Sequence, residues 1–271
     1  MKRKIPSAVL LVTLPFFLMM TARGHAATQY TIQMVVGDVK VISGGKTTAA
    51  AVDRVLADGD TVVTGKNSLA DICFGDRGLV RVQESSKVSV ASLKQKADDP
   101  DLNLDSGSIL MTLAKLVKGD SYQVRTNTQV ASVRGTDFQV TSDTDESRVD
   151  VLSGTIQVNP VADGEVKKDI HEYVSENQSL SLNRGTIRDL IAKRRQMRAS
   201  ALEDKNFDSL LERFSKIRES RGFGKLNKQL QSEFQDRIKK IRERRKKLLE
   251  NMKNRRQEIR DRIQQRRSVG R

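Results

Sequence analysis

The chain has 271 residues, enough for one or two domains with a sizeable core. Only 4% of the residues are aromatic, none is Trp and 31% are charged, so we expect a globular part joined to a highly solvated part. One cysteine, Cys73, excludes an internal disulfide framework and a site built from several cysteines. Cys73 lies in the apolar run LADICFG, which predicts a buried, inert thiol.

The first 27 residues have the features of a Sec-type signal peptide. Basic residues at positions 2–4 precede an apolar run from Ile5 to about Met20, and Gly24 and Ala26 follow in the spacing that a signal peptidase needs. The alternative is an uncleaved membrane anchor, for which the apolar run is short. We therefore expect a protein exported to the periplasm or cell envelope.

Charge is divided unevenly along the rest of the chain. Residues 28–183 hold 16 Lys and Arg against 22 Asp and Glu, a net charge of −6. Residues 184–271 hold 29 Lys and Arg against 12 Asp and Glu, a net charge of +17. An acidic body followed by a strongly basic tail indicates two parts with different partners.

Residues 28–183 show the pattern of a mainly β domain. From Tyr30 to Leu182 apolar and polar residues mostly alternate, and Gly, Asp, Asn or Ser interrupts the pattern at short intervals. This predicts many short strands in a sandwich, a jelly-roll-like fold or a short β-solenoid. The segment 108–118 fits a strand or a short helix, and its setting favours a strand, whereas 94–105 is expected to be a solvated loop.

Residues 184–271 predict a basic helical extension. Lys, Arg, Glu, Gln and Leu predominate, and Gly222 and Gly224 mark the one obvious break. Beyond the break, apolar residues follow a heptad-like seam that is interrupted by Arg245 and Arg255, and its members are Leu226, Leu230, Phe234, Ile238, Ile241, Leu248, Met252 and Ile259. Such a seam predicts a weak coiled coil or a helix that needs a partner.

Motifs for catalysis are not evident in the sequence. His171, the one histidine beyond the signal peptide, lies in the polar stretch KKDIHEYV and is expected at the surface. GGKTT and GDTVVTGKN resemble phosphate loops, but Lys40 replaces the first glycine in one, and Asn67 replaces the Ser or Thr in the other. The sequence therefore predicts no enzyme activity, no cofactor and no metal site.

Four segments together resemble the FecR-type domain. GDTVVTGKNS, LDSGSILMTL, VRGTDFQV and VLSGTIQV occur in the family's order within residues 35–160. Asn127 departs from the family pattern, in which Thr-Pro is common. The motif positions, which we interpret as structural, are Gly59, Asp60, Gly65, Asn67, Ser68, Gly107, Arg134, Gly135, Thr136, Phe138 and Gly154.

The motif residues allow more specific expectations. Gly135 should provide a positive φ or a close backbone approach, and Gly154 should lie in a turn or bulge. Thr136, Phe138 and Val140 should share one strand face, which the two apolar residues make the core face. Arg134 is either an exposed binding residue or, as we favour, a strut that donates hydrogen bonds to loop carbonyls.

The resemblance implies a non-enzymatic, exported recognition or scaffold module. Well-known FecR regulators relay iron-uptake signals to a sigma factor, but they carry a cytoplasmic anti-sigma segment and a transmembrane helix, where this chain has a signal peptide. We expect an unidentified protein partner for the β domain.

Three roles are open for the tail. It is a solvated helix without a specific role, it attaches to an anionic membrane or wall surface, or it pairs with another helix, either in a homo-oligomer or in a partner protein. Export argues against nucleic acid. The alternative is a periplasmic signal-sensing component that works with a separate membrane regulator.

Overall fold

The computed structural model describes residues 29–75, 77–91, 101–114, 122–193, 197–224, 226 and 228–269. Within these ranges, side chains are described except at 193, 221–222, 255–256 and 258–269. The predicted signal peptide, most of the predicted 94–105 loop and residues 115–118 of the predicted 108–118 strand lie outside the described residues.

The described residues form a mainly β structure with four helices near the C-terminal end, which confirms the predicted fold class. The strands are β1 Tyr30–Val36, β2 Val39–Ser43, β3 Lys46–Ala49, β4 Val55–Leu56, β5 Thr61–Thr64, β6 Leu69–Phe74, β7 Gly78–Val82, β8 Lys87–Val90, β9 Leu102–Leu113, β10 Tyr122–Arg125, β11 Gln129–Val133, β12 Asp137–Ser142, β13 Glu146–Ser153, β14 Thr155–Ala162, β15 Glu165–Val166, β16 Glu172–Ser175, β17 Gln178–Asn183 and β18 Ser200–Ala201. The helices are α1 Arg184–Lys193, α2 Asp204–Ile217, α3 Arg221–Gly224 and α4 Lys228–Val269.

The strands form two sheets that share one long strand. Sheet A has the order β4-β1-β6-β7-β9-β12-β13-β17-β18, and sheet B has the order β3-β2-β5-β8-β9-β10-β11-β14-β16. Neighbouring strands are antiparallel except for β9 and β10, which are parallel. The small β15 pairs with β14. Strand β9 therefore joins the two layers through one continuous backbone.

The crossing of β9 between the sheets depends on Gly107. Ser106 pairs with Lys87 in sheet B, whereas Gly107 pairs with Ser142 in sheet A. Gly107 has a φ of 90°, and a Cβ there would lie 2.4 Å from the Cα of Ser86. Only glycine meets both requirements at low cost, which explains its place in the motif.

The main core lies between the two sheets. Alternate residues from both layers point into it, including Ile72, Ile109 and Val158, which are all fully or almost fully buried. At one end the Phe74 ring lies between Tyr30 and Tyr122, whose hydroxyls share a hydrogen bond of 2.9 Å. Burial raises the pKa of both tyrosines, so both hydroxyls stay protonated in the core.

The helices follow the β strands directly. Asn183 is the N-cap of α1, because its Oδ1 accepts hydrogen bonds from the backbone N–H and the hydroxyl of Thr186. After α1 the chain adds β18 to the edge of sheet A and then forms α2, α3 and α4. These three helices pack in a second hydrophobic cluster on the outer face of sheet A, away from the main core.

Candidate interaction surface

The outer face of sheet A is apolar at its centre and carries buried charges. Strand alternation directs Ile72, Val80 and Phe138 into the main core and leaves their neighbours on the opposite side. We call the resulting surface the docking face, and its members are Cys73, Leu79, Leu110, Asp137 and Leu152. All are buried because the helices cover them.

One buried ion pair on sheet A comes from neighbouring strands. Asp71 of β6 and Arg81 of β7 are directly paired in register. The Nε and Nη2 of Arg81 donate to the two carboxylate oxygens of Asp71 at 2.7 and 2.9 Å. Their side chains are 0% and 9% exposed, so each charge depends on the other for its solvation.

The second buried pair joins the docking face to α4. The Nε and Nη2 of Arg237 donate to the two oxygens of Asp137 at 2.7 and 3.0 Å. The hydroxyl of Thr112 donates to Asp137 at 2.6 Å, and the guanidinium also reaches the Leu113 carbonyl at 3.3 Å. Burial raises the pKa of the Asp137 carboxyl, while Arg237 and the Thr112 hydroxyl act in the opposite direction. A fully buried carboxylate thus specifies where an arginine of the tail must lie.

Helices α2 and α4 form an antiparallel hairpin over the docking face. Phe214 of α2 and Phe223 of α3 both contact Phe234 of α4, with ring centroids 6.5 and 5.1 Å apart. The apolar stripe of α4 continues through buried Ile238 and Ile241. The first half of the tail's predicted seam, as far as Ile241, therefore packs against the β domain, and the coiled coil stays a prediction.

Arg245 closes the helical hairpin. Its guanidinium donates to Asp204 at 2.8 Å and to Asp208 at 3.1 Å, and it lies 5.3 Å from the centre of the Phe207 ring. The hydrogen bonds to Asp208 and Asp204 raise the pKa of Arg245. In the sequence, this arginine interrupts the apolar seam. In the structure it is buried, because two carboxylates accept its hydrogen bonds and the face of an aromatic ring packs against its guanidinium.

Past Arg245 the described side chains of α4 are no longer buried. All residues from Lys246 to Asn254 are exposed, including Leu248, Leu249 and Met252 at 47%, 39% and 37%. The helix nevertheless continues to Val269. We call residues 246–269 the basic arm, which holds nine Lys and Arg against three Asp and Glu.

A second charged group lies near the helix-covered edge of sheet A. Arg148 donates to Asp150 at 2.7 Å, and Arg213 of α2 is close enough to stabilise the Asp150 charge. Burial raises the pKa of Asp150, and both arginines oppose the shift. Burial likewise lowers the pKa of Arg213, which Asp150 partly offsets. The attraction between these two charges adds to the packing of α2 beside β13.

The first group of motif residues shapes turns. Gly59 has a φ of 85° and Asn67 a φ of 53°. The carboxylate of Asp60 accepts a hydrogen bond from the Ala57 N–H, and Ser68 accepts one from the Asp38 N–H. Gly65 donates its N–H to the Asp38 carbonyl at 2.8 Å. These five positions therefore stabilise the turns in which they lie, as the structural interpretation predicts.

The second group lies where β12 and β13 meet. Gly135 and Gly154 have φ values of 85° and 91°, as expected. A Cβ on Gly154 would lie 2.4 Å from the methyl carbon of Thr136, so these motif residues are in close contact. Phe138 is fully buried in the main core, and Thr136 is buried just before β12 begins. Arg134 is exposed and forms no hydrogen bond with any described residue, so the structure does not provide the strut that we favoured.

The family assignment rests on this central segment. The model of the family described as FecR protein matches residues 60–157, which include β5 to β13 and the first three residues of β14. This segment is a FecR domain. The resemblance read from the motifs is thus confirmed, and the match ends well before the helices that cover the domain.

Other comparisons are more distant. No curated protein matches the chain. Two crystal structures of a proposed anti-sigma factor from Parabacteroides distasonis share 12% identity with it, at TM-scores of 0.42 and 0.41. The overlap covers 56% of this chain and 63% and 64% of those chains, so this chain spans less than two thirds of their length.

A cleft lies at another edge of the FecR domain, between α1 and the turn that joins β14 to β15. Its volume is about 450 Å³. Exposed Arg184 and Arg188 line it together with Asn127 and the partly exposed Ile191. Arg184 also donates to the Thr144 carbonyl at 3.2 Å, whereas Arg188 forms no ion pair within the part of the chain that the structure describes.

Two sequence predictions about single residues can be compared directly. His171 is exposed, with its ring 5.4 Å from that of Tyr173, and Cys73 is buried, as expected. Within the described ranges, no group of three or more His, Cys, Asp and Glu could hold a metal ion. No helix among the described residues combines the length and the apolar character that a membrane span requires.

Sequence reasoning missed the residues that connect the FecR domain to its helices. Asp137 occupies the variable position of the VRGTDF motif, and Arg237 lies among many exposed basic residues. Asp71 and Arg81 alternate out of the core like ordinary surface residues. A signal existed for Arg237, because it stands three residues after Phe234 and four before Ile241, on the apolar side of α4.

Proposed function

We propose that this is an exported, non-enzymatic recognition and scaffold protein. Its FecR domain binds a protein partner, and its basic helical tail serves in assembly or in attachment to an anionic surface. The non-enzymatic character follows from what the FecR resemblance implies, and export follows from the features of residues 1–27.

One observation carries this proposal: α2, α3 and the first half of α4 are part of the folded body, whereas the basic arm leaves it. The helices bury Phe214, Phe234 and Ile241 on sheet A, and Arg237 is paired with Asp137. Beyond Arg245 the described side chains are exposed. A rigid body with a projecting cationic helix suits a protein that binds through one part and attaches through the other.

The test is affinity capture from crosslinked cell envelopes with two forms of the protein. One form is the full chain, and the other ends at Arg245 and lacks only the basic arm. A form ending at Asn183 would be unsuitable, because it would uncover the docking face and leave Asp137 unpaired. We expect the form ending at Arg245 to retain the partner of the FecR domain and to lose attachment to the envelope surface.

The same experiment can locate the recognition surface. Arg188→Glu reverses an exposed charge in the cleft beside α1 and leaves the docking face intact. Selective loss of the captured protein in this variant would place recognition at the cleft. If the form ending at Arg245 loses every captured component, the FecR domain is not the recognition module.

Export has its own measurement. N-terminal sequencing of the protein recovered from the periplasm or envelope should begin at Ala27 or Thr28. A chain that remains in the cytoplasm with Met1 or Lys2 at its N-terminus would contradict this part of the proposal.

A second candidate function is signal sensing together with a separate membrane regulator, and the FecR family match favours it. In that case, deletion of the protein should change the transcription of genes controlled by an alternative sigma factor, and the wild-type chain should restore it. An unchanged transcript profile in the deletion strain would exclude this candidate under the conditions tested.

A further inference from the structure

Helix α4 repeats one pattern of four residues. The first copy is Leu230, Phe234, Arg237 and Ile241, and the second copy is Leu248, Met252, Arg255 and Ile259. Each member of the second copy stands 18 residues after its counterpart. Because 18 residues make about five turns of an α-helix, both copies lie on the same side of α4, about 27 Å apart.

The first copy shows which surface this pattern binds. Leu230, Phe234 and Ile241 are 1%, 1% and 3% exposed against the docking face and the neighbouring helices. Arg237, at the centre of the pattern, donates two hydrogen bonds to buried Asp137. The pattern therefore fits an apolar protein face that contains one carboxylate.

The two described members of the second copy, Leu248 and Met252, are not buried, although Leu248 borders a shallow pocket beside Phe207. Leu248 and Met252 are 47% and 37% exposed, and Leu249 beside them is 39% exposed. A cluster of exposed apolar residues on an otherwise strongly charged helix is unusual for a surface without a partner. The apolar positions continue the established contact between α4 and the FecR domain.

We propose that the basic arm docks on a separate acidic protein, which presents an apolar face with a carboxylate that receives Arg255. This inference rests on the proposed function, because it specifies what the tail attaches to. The net positive charge of the arm matches an acidic partner. Both arginines that α4 buries in the body, Arg237 and Arg245, are likewise received by aspartates.

Two other occupants fit the pattern less well. A helix that lies on a lipid surface keeps its cations on the polar side, whereas this pattern places an arginine between apolar positions. Two copies of the arm would bring like charges together, which disfavours pairing. The two copies also differ at their flanks, where Leu249 replaces Gln231 and Arg256 replaces Ile238. The partner face is therefore expected to differ from the docking face of this chain.

The test is site-specific photocrosslinking in cells, with a photoreactive amino acid in place of exposed Asn251 of the full chain. We expect an adduct with one acidic protein. Arg255→Glu should reduce its yield at least about tenfold, because removing one partner of a buried charge pair weakens binding by that much or more. Lys253→Glu is the matched control: it makes the same change in charge outside the repeated pattern and should reduce the yield much less.

A charge-reversal experiment tests whether the partner protein has a carboxylate that receives Arg255. Replacing the partner's crosslinked Asp or Glu by Arg should restore the adduct with the Arg255→Glu chain. Equal losses in the Arg255 and Lys253 variants, an adduct of the chain with itself, or no protein adduct would each overturn the inference.

Vesicles of equimolar phosphatidylcholine and phosphatidylglycerol separate this inference from the proposed function. If the arm binds vesicles and no protein, attachment stands and the acidic partner is wrong. If the arm binds neither, the proposed role of the tail fails as well.

Discussion

The two halves of α4 have similar composition but very different surroundings. In the docked half, the apolar residues and Arg245 are buried against sheet A and α2, and Arg237 is only 20% exposed. In the basic arm, the described apolar residues are at least one third exposed. The docked half has carboxylate acceptors for its arginines: Asp137 accepts hydrogen bonds from Arg237, and Asp204 and Asp208 accept them from Arg245.

This difference shows that the arginines of a basic tail are not only solvating charges. A buried ion pair contributes little net stability compared with an apolar contact, but an unpaired buried charge is costly. Asp137 therefore penalises any helix that does not bring a cation to the right place. The docking face selects its helix by charge and binds it by apolar contact.

The largest expected effect on stability comes from the apolar contacts of the docked half of α4. Phe234→Ala removes a ring that is 1% exposed and that contacts Phe214 and Phe223, so the free energy of unfolding should fall by about 3–5 kcal/mol. Met252→Ala, in the basic arm, should change it by less than about 0.5 kcal/mol. Urea denaturation of both variants measures the contrast. Similar losses in the two variants would mean that the arm is also packed in solution.

The next effect concerns the buried charge of the docking face. Asp137→Ala leaves Arg237 without its carboxylate, and because that side chain is 20% exposed we expect a loss of about 3 kcal/mol. Asp137→Ala combined with Arg237→Ala should cost clearly less than the sum of the single changes, since the pair acts as a unit. The matched control is Asp105→Ala, which breaks a half-exposed pair with Lys87 and should cost less than about 1 kcal/mol. Additive losses at 137 and 237 would contradict the coupling.

Much of the β domain could be predicted because its inner faces follow simple alternation. Phe138 and Val140 could be assigned to the core from their spacing, and the FecR motifs identified the family. Positive φ at Gly135 followed from the motif and from the chemistry of glycine. The crossing of β9 from one sheet to the other at Gly107 could not be predicted, because alternation continues through the bend.

The docking face could not be predicted for a different reason. Its aspartates and arginines alternate with core residues as surface residues do, so Asp71, Arg81 and Asp137 gave no sign of burial. Burial there depends on helices about a hundred residues away, as in the pair of Asp137 with Arg237. Arg245 interrupts the apolar seam in the sequence, yet its side chain is buried, because its carboxylate partners lie on another helix.

A smaller effect is expected at the boundary between the halves. Arg245→Ala removes hydrogen bonds to Asp204 and Asp208 and the contact with the Phe207 ring, and we expect a loss of about 1–2 kcal/mol. The aspartates are 64% and 55% exposed, so water can replace part of this contact. Hydrogen exchange should then show earlier opening near residue 241. The control is Lys246→Ala at the next, exposed position of α4, with an expected change below about 0.5 kcal/mol.

The smallest effect tests where the body ends. Arg244 donates to Glu176, in the turn between β16 and β17, at 3.0 Å, but the two side chains are 69% and 36% exposed. Surface pairs of this kind contribute about 0–1 kcal/mol and weaken with salt, because water and ions compete for both charges. Glu176→Gln should therefore lower the free energy of unfolding by less than about 0.5 kcal/mol, and added salt should remove the difference from wild type. A loss comparable to that of Asp137→Ala would show that α4 is held by charge as far as residue 244, and that the contrast between its two halves depends on surface pairs as much as on the docking face.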